Sequence, residues 1–240
     1  MTALGVALAG CAGSDSSSTG SDQPPGTTGT TAPRGSTAES SGTQWAMYGH
    51  DYAQTRTNIA ETTITRDNVA RLAKTWEIPD LVGVTGTPTV VDGIAHFADW
   101  KGQVWAVRAE TGEKVWTTMV GGMIVGAPAI DGDGVYASAG NKLYRLNRTS
   151  GEKEWEALTH DHPQAQISAS PVVVDGIVLQ GTASFENMVR KDEYVFRGSI
   201  GGFDAETREE RWEFYSTPGD DTSRARAGLL AKPPVPTPRG

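Results

Sequence analysis

The chain has 240 residues, with 21 Lys plus Arg against 29 Asp plus Glu and a net charge of −8. No basic block offsets that balance, so binding to phosphate backbones or anionic lipid through bulk charge is disfavoured and nucleic acid is not an expected partner. The 29 Gly, 13 Pro and 7 Trp beside one Cys suit many short strands and turns, and rule out a disulfide-stapled scaffold, a CxxCH haem site and a cysteine zinc site.

The N-terminus reads MTALGVALAGC, an apolar run from Ala3 to Leu8 that leads into Leu8-Ala9-Gly10-Cys11. This tetrapeptide resembles the lipobox of bacterial lipoproteins, which implies that Cys11 is lipidated and becomes the mature N-terminus. No Lys or Arg precedes the apolar run, a departure from secretory signals that fits a true start further upstream. A flexible terminus with a chance cysteine is the alternative. Residues 12–43 are largely Ser, Thr, Gly and Pro. They bury too little apolar surface to offset chain entropy and are expected to form a disordered tether. Residues 1–11 and 12–43 thus predict a signal and a linker holding a soluble domain outside the cytoplasm, lipid-anchored or secreted. Its only membrane contact would be the lipid, because no later run approaches the roughly 20 apolar residues of a spanning helix.

A core must therefore come from Gln44 onward, and here the sequence repeats. Thr87-Pro88-Thr89-Val90-Val91-Asp92-Gly93, Ala127-Pro128-Ala129-Ile130-Asp131-Gly132 and Ser170-Pro171-Val172-Val173-Val174-Asp175-Gly176 place their prolines 40 and 43 residues apart. Each is an apolar run broken by Asp-Gly, a dipeptide that tolerates the positive φ angles of a two-residue hairpin turn. A second half repeats as well: Val104 to Gly112 leads to Trp116, Leu143 to Gly151 to Trp155, and Ser199 to Thr207 to Trp212, with Arg208 in place of the third glycine. Trp76 stands 40 residues before Trp116. A unit of about 40 residues holding two hairpins predicts an all-β fold of β-propeller blades. The tryptophans are expected to be structural, each covering a seam between blades while its N–H finds a carbonyl.

The phrase x-Asp-x-x-Thr-Gly-x-x-x-Trp, matched at Ala106 to Trp116 and Arg145 to Trp155, resembles the docking motif of pyrroloquinoline-quinone propellers. Trp45-Ala46-Met47-Tyr48-Gly49-His50-Asp51 with Thr55-Arg56-Thr57-Asn58, then Ile64, Asn68-Val69 and Leu72 ahead of Trp76, is similar to the N-terminal signature of quinoprotein alcohol dehydrogenases, nearest to the polyvinyl-alcohol dehydrogenase type. Gly181-Thr182-Ala183-Ser184-Phe185-Glu186, followed by Phe196-Arg197-Gly198-Ser199, adds a third match. The resemblance covers Gln44 to about Pro218. It implies pyrroloquinoline quinone and calcium in a central channel, an alcohol or polymeric alcohol as substrate, and an external electron acceptor. Glu186 matches a calcium ligand, and Ala183 and Ser184 match positions lining the quinone, although Ala183 lacks the hydroxyl of the usual Ser. A carboxylate suits a hard cation. The neighbouring cysteines that many members carry near the active site are absent.

Other residues tempt a catalytic reading. His160-Asp161-His162 has a spacing that suits one metal on an extended strand, yet its place just past Trp155 predicts a polar loop between blades. His50 is expected to tether the N-terminal segment, and Arg197 to face either an anionic cofactor or an ion pair. Trp100 and Trp105 read as exposed and would serve a carbohydrate- or polymer-binding surface. No GxGxxG after a strand, Walker lysine loop or GxSxG elbow supports nucleotide or acyl-transfer chemistry.

Three units plus the Trp76 strand make an incomplete propeller over 44–218, since rings close with four to eight blades. Residues 219–240 carry no strand alternation and read as a disordered or aberrant tail. No catalytic residue is assigned. The leading expectation is a fragment of a quinone-dependent alcohol dehydrogenase, inactive alone and not binding quinone or calcium by itself. The alternative is a non-catalytic propeller lipoprotein that acts as a scaffold or binding module.

Overall fold

The computed structural model describes residues 44–186 and 196–216, which form three antiparallel four-stranded meanders. Sheet 1 holds β1 (Thr89–Val91), β2 (Ile94–Ala98), β3 (Gln103–Arg108) and β4 (Lys114–Met119). Sheet 2 holds β5 (Ala129–Asp131), β6 (Gly134–Ala139), β7 (Lys142–Asn147) and β8 (Lys153–Leu158). A short β9 (Ala165–Gln166) precedes sheet 3, formed by β10 (Val172–Val174), β11 (Ile177–Ser184), β12 (Ser199–Asp204) and β13 (Glu210–Tyr215). Outside the strands, the described residues hold a 3-10 turn at Val69–Arg71, and none of their helices is long and apolar enough to cross a membrane. Cys11, the tether and the residues after Ser216 lie outside the described residues.

The predicted hairpins form, with one displacement. Between β1 and β2 the turn is Asp92-Gly93, with φ +51° and +73°, and between β10 and β11 it is Asp175-Gly176, with φ +49° and +74°. Both carry the paired positive φ that Asp-Gly accepts. In sheet 2, Asp131 pairs with Gly134, so the turn is Gly132-Asp133 and not the expected Asp131-Gly132. Asp131 instead extends β5.

The second hairpin of each sheet closes through one repeated set of backbone bonds. Gly112, Gly151 and Arg208 donate to the carbonyls of Arg108, Asn147 and Asp204, while Ala109, Arg148 and Ala205 donate to the first turn of the same sheet at Gly93, Asp133 and Gly176. This ties the two hairpins of a blade into one unit.

Two seams join the sheets. Val91, Ala98, Val104, Ala106 and Trp116 of sheet 1 pack on Ile130, Val135, Ala137 and Leu146 of sheet 2, and Ala129, Tyr136, Leu143 and Trp155 pack on Val173, Val178, Phe203 and Ala205 of sheet 3. Trp116 and Trp155 are 7% and 8% exposed, and their indole N–H groups donate to Arg148 O at 2.9 Å and Ala205 O at 3.1 Å. They cover the seams as expected. Trp76 does the same for sheet 1, donating to Ala109 O at 2.9 Å. With Ile78 and Leu81 it covers Ala95, Phe97 and Val107.

The N-terminal segment runs across the inner strands of all three sheets. Trp45 pairs with Val90, Ala46 O accepts from Ile130 N–H, and the Tyr52 hydroxyl donates to Val173 O at 2.6 Å. His50 stands edge-on to Trp45 at 4.8 Å and beside Asp51 at 3.4 Å, so its tethering role follows from the contacts.

Candidate functional site

The segments that lead into β1, β5 and β10 converge on a cleft of about 550 Å³, with Tyr48 and Gln54 of the N-terminal segment on its rim. Thr85-Gly86-Thr87, Val125-Gly126-Ala127 and Ser168-Ala169-Ser170 line it. Glycine is needed here for close approach. A Cβ on Gly86 would stand 2.4 Å from Gly126 O, and one on Gly126 would stand 2.8 Å from Ala169 O. The segments are stitched laterally: the Thr85 hydroxyl donates to Val125 O, and Ala127 N–H donates to the Ser170 hydroxyl. Thr87, Ser168 and Ser170 add hydroxyl-bearing residues to a lining that otherwise holds, below the rim, Thr85 and Gly, Ala and Val residues. Such a surface admits a flat ligand and offers donors to its oxygens.

The rim carries unusual backbone. His50, Gln54 and Arg56 have φ of +80°, +56° and +52°, a region that costs a non-glycine residue about 1 kcal/mol or more. Local bonds hold them: the Asp51 carboxylate accepts from Thr55 N–H and the Thr55 hydroxyl, Arg56 N–H donates to Gly49 O, and the Arg56 guanidinium donates to the Tyr48 hydroxyl at 3.2 Å.

The motif residues sit beside this cleft rather than in its walls. Ala183 and Ser184 end β11, where they pair with Gln166 and Ala165 of β9, and the chain runs on from β9 into Ser168. Ala183 is exposed and Ser184 is half-buried. Glu186 is 1% exposed, and its Oε2 accepts the Phe196 N–H at 2.7 Å. The carboxylate therefore bridges the two ends of the β11–β12 connection. Residues 187–195, most of the expected insert, lie outside the described residues.

His160 and His162 flank Phe196, with ring centroids at 4.8 Å and 5.4 Å, and His162 N–H donates to His160 Nδ1 at 3.0 Å. They lie in the connection from β8 to β9, the loop between blades that the sequence predicts. Arg197 lies over the Tyr215 ring at 4.3 Å. Burial, together with the hydrogen bond to Glu213, pushes the Tyr215 phenol up to about 12. Between β8 and β13 this region encloses a second, polar hollow of about 270 Å³, where burial and then Glu213 raise the Glu210 carboxyl. Trp105 is not the exposed ring expected. It is half-buried, with its ring parallel to that of Phe97 at 6.2 Å and packed against the core, whereas Trp100 is 45% exposed and donates to the Thr85 hydroxyl.

Calcium takes six to eight oxygens. Among the described residues, no three His, Cys, Asp or Glu side chains are grouped to hold a metal, and the Glu186 carboxylate is turned onto a backbone amide. The described residues do not fit a calcium ion by themselves.

The sheets and the cleft at the heads of their inner strands define the class: part of a quinoprotein-type β-propeller. A PQQ-repeat family, described as outer membrane protein assembly factor BamB, matches residues 38–235, and the chain belongs to that family. It is 31% identical to a quinohemoprotein alcohol dehydrogenase of Comamonas testosteroni over 192 residues, covering 73% of this chain and 26% of that protein. It is 30% identical to the lupanine 17-hydroxylase [cytochrome c] of a Pseudomonas species over 188 residues, covering 70% and 26%. The structure of the quinohemoprotein alcohol dehydrogenase ADHIIG from Pseudomonas putida superposes with a TM-score of 0.67 at 28% identity, over 75% of this chain and 27% of that one. The chain thus spans about a quarter of the length of these relatives.

The sequence motifs drew attention to Ala183, Ser184 and Glu186 and passed over Tyr48, Gln54 and Ser168. The available signal was the small residue two places before each repeated proline: Gly86, Gly126 and Ala169.

Proposed function

We propose that the chain supplies three blades of a quinone-dependent alcohol dehydrogenase of the polyvinyl-alcohol type, and that by itself it neither oxidises alcohols nor binds quinone and calcium tightly. The observation that carries this reading is the cleft at the heads of three inner strands, walled by glycines in backbone contact and edged with hydroxyls. In this reading the bound quinone would accept the electrons of the alcohol and pass them to an external acceptor. Thr87, Ser168 and Ser170 would offer hydroxyls to its oxygens, the Gly86 and Gly126 backbones would leave room for it, and Tyr48 and Gln54 would border it. Ala183 and Ser184, beside the cleft at the end of β11, would lie next to such a ligand. Glu186 would contribute a carboxylate oxygen to calcium, and the remaining oxygens would come from blades other than these three. Isothermal titration of the purified chain with quinone and Ca2+ tests this. The expected result is no submicromolar binding, and calcium-dependent dye reduction with an alcohol would overturn it.

The second reading, a non-catalytic scaffold or binding module, is favoured by the orientation of Glu186 alone. Under it, additional blades would still give no calcium-dependent activity.

We also infer an extracytoplasmic chain anchored through lipid on Cys11, with 12–43 as its tether and 219–240 as a tail outside the propeller. Labelling with a fatty-acid analogue should mark the protein, and Cys11→Ser should abolish the mark. An unlabelled wild type would refute the anchor.

A further inference from the structure

Two of the hydroxyl-bearing residues that line the cleft, Thr85 and Ser170, have opposite hydrogen-bonding capacity. The Thr85 hydroxyl accepts the indole N–H of Trp100 at 3.2 Å and donates its own hydrogen to Val125 O at 3.1 Å. A hydroxyl has one hydrogen and two lone pairs. Thr85 therefore keeps a single lone pair for a ligand and has nothing left to donate. Ser170 is the reverse case. It accepts Ala127 N–H at 2.9 Å, and its hydrogen meets no acceptor among the described residues, so it keeps a proton to give. The segment of sheet 2 between them takes a hydrogen bond at Val125 and gives one at Ala127, and this leaves an acceptor on the sheet 1 side of the cleft and a donor on the sheet 3 side.

Trp100 is built into this arrangement. Four residues, 99–102, join β2 to β3, where only two, 140–141, join β6 to β7, and the longer loop carries the indole. Its ring lies on Gly83, where φ is +67° and a Cβ would stand 2.1 Å from the ring. The Trp100 backbone N–H donates to Val82 O at 2.8 Å, so backbone and indole are both tied to the segment that enters sheet 1. An indole nitrogen can only donate, which obliges Thr85 to turn a lone pair toward it. We propose that Thr85 is a specificity-determining residue of the cleft and Trp100 its positioning residue, and that with Ser170 they select a flat ligand bearing an O–H or N–H donor at one edge and a carbonyl or carboxylate at the opposite edge. A ligand that brings an acceptor to Thr85 sets two lone pairs against each other and leaves both without a hydrogen. The proposal rests on the cleft as the ligand site named under the quinone reading, and needs neither quinone nor calcium.

NMR titration of the chain is the test, with the amide shifts of Gly86 and Gly126 reporting occupancy of the cleft. Para-hydroxybenzoate carries both donor and acceptor, para-methoxybenzoate lacks the donor, and para-cresol lacks the carboxylate. Para-hydroxybenzoate should bind about fivefold more tightly than para-methoxybenzoate, the worth of one neutral hydrogen bond. Thr85→Val should bring the two affinities together, and Thr85→Ser should keep them apart. Trp100→Phe, which retains a ring for Gly83 but frees the hydroxyl to turn, should shrink the difference. A residue that only braced the loop would lower the urea midpoint and leave the difference alone. Ser170→Ala should weaken para-hydroxybenzoate and leave para-cresol unchanged. Equal binding of the hydroxy and methoxy probes by the wild type overturns the proposal, as does a difference that persists undiminished in Thr85→Val or Trp100→Phe, or para-hydroxybenzoate binding that Ser170→Ala does not alter. Unmoved Gly86 and Gly126 amides at millimolar probe overturn it too. None of these outcomes touches the quinone reading, whose own titration uses neither these probes nor these variants.

Discussion

The indole of Trp116 rests on Gly151 of the next sheet so closely that a Cβ there would stand 2.6 Å from its ring. The same ring donates to Arg148 O, and Thr118 beside it donates to Gly151 O at 2.6 Å. One turn thus receives an aromatic face and two hydrogen bonds from its neighbour. Trp116→Ala should cost about 3–5 kcal/mol, as for other buried large aromatics, and Trp155→Ala a similar amount. Trp212→Ala should cost under about 1 kcal/mol, in the range of surface changes. Urea unfolding of the three variants gives the comparison, and equal losses would refute the assignment of seams.

Arg208 occupies the third of these turns at φ +65°, where the other two have glycine. A side chain there costs about 1–2 kcal/mol, only partly offset by the greater entropy that glycine loses on folding. The 3.4 Å contact of its guanidinium with Glu156 O is long. Arg208→Gly should raise stability by about 1 kcal/mol, seen as a higher urea midpoint at unchanged slope.

Sheets 2 and 3 close their second hairpins with an Asx turn. Asn147 Oδ1 accepts from Thr149 and Ser150, and Asp204 Oδ1 from Glu206 and Thr207. Sheet 1 has Arg108 at this position, in an exposed pair with Glu113 of small net worth. Arg108→Asn should add the missing acceptor and about 0.5–1 kcal/mol of stability. Amide exchange at Glu110 and Thr111 should slow at the same time.

His96 lies fully buried in the first seam, 5.8 Å from the Trp116 ring centroid, and neither ring nitrogen has a well-formed hydrogen bond among the described residues. Burial, aided by the positive charge of Arg148, pulls it down to about 4 from 6.5. The folded pKa lies below the unfolded one, so the unfolded chain takes up a proton as pH falls from 6.5 toward 4 while the folded chain does not. Stability should drop across that window by about 3 kcal/mol. His96→Leu should flatten the profile and raise stability at pH 7, since two buried nitrogens without well-formed hydrogen bonds disappear. An unchanged acid slope in the variant would show that other groups set it.

Local chemistry explains which features were legible beforehand. Asp-Gly after an apolar run marks a hairpin because few other pairs accept two positive φ angles, and it succeeded at Asp92-Gly93 and Asp175-Gly176. It failed by one residue at Asp131-Gly132-Asp133-Gly134, where two glycines compete for the turn and the pairing of Ala129 with Tyr136 settles the register. Trp105 misled for a similar reason. Its exposure depends on whether residues 76–81 fold over sheet 1, and no spacing within the repeat encodes that.

The sequence by itself determined the three-fold repeat, the all-β meander and the tryptophan of each seam, because a period of about 40 residues fixes which side chains recur at equivalent places in each sheet. Only the tertiary structure decided what lies at the head of the inner strands and where Glu186 points. The cleft is assembled from residues 48–54, 85–87, 125–127 and 168–172, far apart along the chain, and it exists only once the sheets pack face to face through their seams. The Glu186 carboxylate meets Phe196 N–H only after β11 and β12 pair and bring residues ten apart within 2.7 Å. A motif specifies which groups are present, and packing determines which of them stay free for a ligand.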